Sequence, residues 1–139
     1  MSPSATDRLS SIYIPLRLTY GLVPVVAGLD KFTNLLTNWA AYMPAVVADH
    51  LPVSPSTFMM VVGVVEIAAG LAVLTGLTRL GAYVVMTWLV LIALNLVAAG
   101  RLDIAVRDLV MAVGAFTLGQ AAALRNEPWL PIAAPARLA

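Results

Sequence analysis

Six polar residues stand out because each lies within or at the edge of a strongly apolar stretch: Asp30, Lys31, Glu66, Asn95, Arg107 and Asp108. An ionisable group in such a setting is costly, so each needs a partner or a task. Glu66 is the deepest. It lies about nine residues from the nearer end of its stretch, roughly 13 Å at the helical rise per residue.

Three kinds of chemistry fit these residue types. In a structural network, Glu66 would accept hydrogen bonds from Arg107 and Asn95, with Asp108 capping or neutralising, and the bonds would lock helix register. In a working site, the same groups would bind a ligand or move protons near one face of a membrane. Alternatively, some of them would face a partner subunit. A Glu66–Arg107 pair is the expected centre, structural in character with one side open to a ligand or partner. No residue is assigned a catalytic role. Cysteine is absent, and the single histidine, His50, reads as a solvated loop residue beside Asp49, so no metal-ligand set is expected.

The elements that must position these residues follow from composition. Of the 139 residues, 61% are hydrophobic and 11% charged, with mean hydropathy +0.93, against about 25% charged in ordinary soluble domains. The apolar residues run unbroken over about 11–29, 57–77, 81–99 and 104–124. Each run has roughly the 20 residues that a helix needs to cross a bilayer. Helix is required there because lipid offers the backbone no hydrogen-bond partner. The expected fold is therefore all-α: a four-transmembrane-helix bundle with a short interfacial helix in the first, outer loop. Short turns make spans two and three, and three and four, antiparallel neighbours. Arg17 interrupts the first run, which argues against a cleaved signal peptide.

The chain divides into a cytoplasmic segment 1–10, a membrane domain 11–124 and a proline-rich cytoplasmic tail 125–139. Arg8, Arg79, Arg125 and Arg137 fall on one side, against Lys31 and Arg101 on the other, so both termini are expected in the cytoplasm. In the outer loop, 33–53, Leu35, Trp39, Met43 and Val46/Val47 recur at helical spacing. That pattern predicts an amphipathic helix bent near Pro44, with Trp39 and Tyr42 at headgroup level. Trp129 should touch the opposite interface. Gly21 and Gly28, like Gly63 and Gly70, lie two turns apart and mark packing faces. Arg17 is expected to snorkel to headgroups, and Trp88 to pack in lipid or core. A net charge of +1 and the lack of a basic stripe exclude a nucleic-acid partner.

Three segments resemble the DoxX-like membrane proteins: Ala27-Gly28-Leu29-Asp30-Lys31-Phe32, Gly63-Val64-Val65-Glu66-Ile67-Ala68-Ala69-Gly70, and Asp103-Ile104-Ala105-Val106-Arg107-Asp108-Leu109. Their order and spacing carry the likeness, which extends over about 16–124. The resemblance implies a four-helix membrane bundle associated with redox enzymes. The family name comes from a subunit of an archaeal terminal oxidase or thiosulfate:quinone oxidoreductase system, and other members are linked to complexes handling thiol or oxidative stress. Without cysteine, a direct thiol role is not expected here.

The leading expectation is an accessory or anchoring subunit of a larger, redox-linked complex in a bacterial-type inner membrane, without independent catalysis. A second is a quinone- or small-ligand-binding protein that uses the polar cluster. A small oligomeric transporter ranks last. Cofactors are expected to be none within the chain, or a bound quinone or lipid. Partners are expected to be membrane lipids, and other membrane subunits or a second copy.

Overall fold

The computed structural model describes residues 4–130. All regular structure among them is helical: α1 (Ala5–Thr33), a 3-10 turn (Trp39–Tyr42), a single-turn helix α2 (Ala45–Ala48), α3 (Pro55–Leu74), α4 (Thr78–Ala98) and α5 (Leu102–Leu124). Three of these, α1, α3 and α4, are long and apolar enough to cross a membrane. α5 is of similar length but carries Asp103, Arg107 and Asp108 in its first two turns.

Local chemistry sets the ends. α1 begins ahead of its apolar run because Ser4 and Asp7 form a capping box: Asp7 N–H donates to Ser4 Oγ at 3.2 Å, and Ser4 N–H to Asp7 Oδ2 at 3.0 Å. Its far end closes on Asn34, in the left-handed region at φ 52°. Ser54 caps α3 by accepting from Thr57 N–H at 3.1 Å, with Pro55 in the first turn. The tight turns after α3 and α4 use Gly76 and Gly100 at positive φ, 97° and 71°.

The long helices pack chiefly as two antiparallel pairs, α1 with α3 and α4 with α5, joined by lighter contacts between α3 and α4 and between α1 and α5. Glycine sets the first pair. A Cβ on Gly28 would lie 2.5 Å from the Gly63 carbonyl oxygen, and one on Gly63 equally close to the Gly28 oxygen. The backbones therefore touch where the sequence pattern marked packing faces.

The larger core cluster, with Tyr13, Val73, Val85, Leu118 and Ala122, fills the end of the bundle that carries the termini. At the opposite end, which carries the Asn34–Ser54 connection, the core thins to Ala93, Leu96 and Ala105. Large apolar side chains face outward on all four long helices, among them Leu22, Val64, Leu94 and Val110, a surface that suits hydrocarbon and not water.

Two expectations change. The connection holds no single amphipathic helix: Pro44, which cannot donate a backbone hydrogen bond, separates the 3-10 turn from α2. Leu35 is 85% exposed while Trp39 and Met43 turn towards the bundle. Arg17 does not reach for headgroups. Its Nε and Nη2 donate to the Val73 and Leu74 carbonyls at 3.1 and 2.7 Å, satisfying acceptors that the end of α3 leaves without intrahelical donors.

At the same end, Trp129 stacks on Tyr83, with centroids 5.3 Å apart, beneath the Arg79 guanidinium at 4.1 Å. The rest of the tail, with Pro131 and Pro135, lies outside the described residues.

Candidate functional site

Where the core thins, a cavity of about 410 Å³ opens between the helix pairs. Lys31, Glu66, Asn95, Arg107 and Asp108 all line it, so five of the six polar residues singled out from sequence meet at one place. The sixth, Asp30, does not line it but accepts a hydrogen bond from Trp39, which does.

The expected Glu66–Arg107 pair is not formed. Glu66 Oε2 instead accepts from Lys31 Nζ at 2.6 Å, with both side chains buried. Helix direction explains the partner. Lys31 lies one turn beyond Gly28 and Glu66 one turn beyond Gly63, in antiparallel helices that touch at those glycines. Side chains lean towards the N-terminus of their own helix, so Lys31 leans into the bundle and Glu66 leans out, and the two converge. Arg107 is two-thirds exposed and stands 3.6 Å from Asp108, its own neighbour. Its long stem carries the guanidinium to the rim.

Asn95 does not reach Glu66 either. Its Nδ2 donates to the Tyr42 carbonyl at 3.3 Å, tying α4 to the 3-10 turn. Arg101, the N-cap of α5, holds the same turn, donating to the Ala41 carbonyl at 3.2 Å with its guanidinium 4.8 Å from the Tyr42 ring centroid.

Asp30 organises the connection. It accepts from Leu35 N–H at 2.9 Å, Leu36 N–H at 3.1 Å and the Trp39 indole at 2.8 Å. Anchored in this way, the Trp39 ring lies 3.7 Å from Lys31 Nζ. Lys31 Nζ is thus held between a carboxylate and an aromatic face. Trp39 and Tyr42, expected at headgroup level, line the cavity.

Sequence reasoning assigned Trp88 to lipid or core. It lines the cavity, and its buried Nε1 has no hydrogen-bond partner among the described residues. Its spacing of seven from Asn95, which puts both on one helix face, was the available signal. Phe58, Met59, Val62, Leu91, Ile92 and Ile104 supply apolar walls. The cavity thus combines apolar walls with a few polar groups, the composition of small-molecule sites in general.

The DoxX family model matches residues 12–99, which include Lys31, Glu66 and Asn95 and stop short of Arg107 and Asp108. No curated protein and no solved structure matches the chain. With more than half of its residues matched, and with several helices long and apolar enough to span a bilayer, the chain belongs to the DoxX family of membrane proteins.

Proposed function

We infer that the protein crosses a bacterial-type cytoplasmic membrane four times, with both termini in the cytoplasm, and serves as a ligand-holding accessory subunit of a larger, redox-linked assembly. For the fourth span the support is α5 itself. Val106, Val110 and Val113 face outward, while Asp108 turns inward and Arg107 stays within two turns of the helix start. For orientation it is the cation bias. Arg8, Arg79 and Arg125 lie at the terminal end, and of the two cations expected opposite them Lys31 is neutralised internally by Glu66.

The observation that carries the ligand reading is the cavity. Its volume lies within the range of small-molecule sites, about 300–1,000 Å³, and it gathers the polar groups of α1, α3, α4 and α5 over apolar walls. A quinone or a lipid headgroup suits that mixture. Gentle extraction followed by native mass spectrometry tests the reading. One small apolar molecule bound per chain, together with a partner subunit, is the expected result. A bare chain that retains its cellular function would contradict it.

A second reading keeps the anchoring role and makes the polar cluster purely structural, and the closed Lys31–Glu66 contact under Trp39 favours it. A transporter gains no support, because each long helix is continuous and transport sites of this kind are built on broken helix pairs.

A further inference from the structure

The end of the bundle that carries the termini has a second depression, of about 490 Å³. Arg79, near the start of α4, lines it together with Asn126, Glu127, Trp129 and Leu130, just beyond α5. Arg79 is unlike its neighbours there. Arg17 donates to the Val73 and Leu74 carbonyls, and Arg125 donates to Ser10 Oγ at 2.9 Å and stands 3.6 Å from Glu127. Arg79 has no oxygen partner among the described residues, and its Nε is buried without an acceptor. What holds it is Trp129, whose ring centroid lies 4.1 Å from the guanidinium carbon. An aromatic ring attracts the charge but offers the guanidinium N–H groups no oxygen. Buried polar groups in folded proteins are nearly always paired, so this cation lacks an anionic partner.

The place narrows what that partner is. Trp129 and Leu130 are half-exposed and follow the outward-facing Leu124. The depression therefore opens where the apolar surface ends, at the level where tryptophan gathers in membrane proteins. Phospholipid phosphates lie at that level. The depression is not purely cationic, however. The Glu127 carboxylate lines it too, and its contact with Arg125 through Oε1 leaves acceptor capacity over. Ala123, in the last turn of α5, places the negative end of that helix beside it. A plain anion would suit Arg79 and be set against Glu127, and a plain cation the reverse. A headgroup that carries both charges suits both. Its cation should bear N–H groups. A trimethylated ammonium has none for the carboxylate, and the aromatic surface that would otherwise hold it is engaged: Trp129 carries Arg79 and stacks on Tyr83 at 5.3 Å.

We propose that this depression seats the headgroup of a phospholipid that joins a phosphodiester to a primary ammonium. The phosphodiester lies on the Arg79 guanidinium and the ammonium on Glu127, with the acyl chains along the apolar surface beside Leu124. The assignment is independent of what the cavity between the helix pairs holds.

The delipidated full chain in detergent is titrated calorimetrically with three phospholipids that share two octanoyl chains and differ in headgroup: ethanolamine, choline and glycerol. Inorganic phosphate is the fourth probe. The ethanolamine lipid is expected to bind about tenfold tighter than the choline lipid, the effect of one charge-assisted hydrogen bond, and tighter than the glycerol lipid. Arg79→Met should weaken all three lipids alike, by about tenfold, and Arg79→Gln gives the same comparison if the methionine variant does not fold. Glu127→Gln should leave the choline lipid unchanged and remove the advantage of the ethanolamine lipid. Equal or tighter binding of the choline or glycerol lipid by the parent overturns the proposal, as does a preference that survives Glu127→Gln or lipid binding that Arg79→Met leaves intact. Inorganic phosphate bound as tightly as the ethanolamine lipid would make this a site for free phosphate and overturn the lipid assignment.

Discussion

Lys31 Nζ lies 2.6 Å from Glu66 Oε2, a buried ion pair that joins α1 to α3 one helical turn from the point where Gly28 and Gly63 bring the two backbones together. Lys31→Met or Glu66→Gln alone strands the other group in a low-dielectric interior and should cost about 3–5 kcal/mol. The double replacement Lys31→Met/Glu66→Leu should recover much of that loss. Arg107→Met, at an exposed position, should stay within about 0.5 kcal/mol of the parent. Unfolding in mild detergent, followed for all four variants, checks the set. Equal losses for Arg107→Met and Lys31→Met would contradict this pairing.

The glycine contact makes its own prediction. Gly63→Ala places a methyl group 2.5 Å from the Gly28 carbonyl oxygen, against rigid backbone that cannot move aside alone. Overpacking of this kind costs about 1–3 kcal/mol. Because α1 must shift to relieve it, the Lys31–Glu66 contact should loosen too, and Lys31 should become reactive towards amine reagents that it resists in the parent. A stable Gly63→Ala variant with unreactive Lys31 would show that the helices do not approach this closely.

Much of this site was legible before the fold was known, and the error is instructive. Glu66 and Asp108 announced themselves as acids in apolar stretches, and the short turns fixed two helix hairpins. The sequence offered Glu66 two cations near the same end of the bundle, Lys31 and Arg107, and depth alone could not choose between them. The choice depends on which helices touch. The signal for that was present in the matching two-turn spacing of Gly21 and Gly28 with Gly63 and Gly70, which pairs α1 with α3. Trp39 over Lys31 was not legible, because its position depends on Asp30 folding the following residues back on themselves. Trp88 was expected only to pack, because a tryptophan in an apolar run is normally satisfied by packing alone, and its place on the cavity wall was not read.

Topology is checked independently. A reporter active only outside the cytoplasm should be silent when fused at the C-terminus and active when inserted near His50, in the connection between α2 and α3. The opposite pattern would reverse the orientation, and activity at both places would remove α5 as a span.

The most direct test of the central claim, that the cavity beside Lys31 and Glu66 holds a molecule, is native mass spectrometry of the gently extracted protein beside its Val62→Phe variant. Val62 lines the cavity wall, and the larger ring occupies part of that space. The account predicts one small apolar molecule on the parent chain and none on the variant, with both equally folded. The same mass for parent and variant, each without a bound molecule, or a ligand retained undiminished by Val62→Phe, would contradict it.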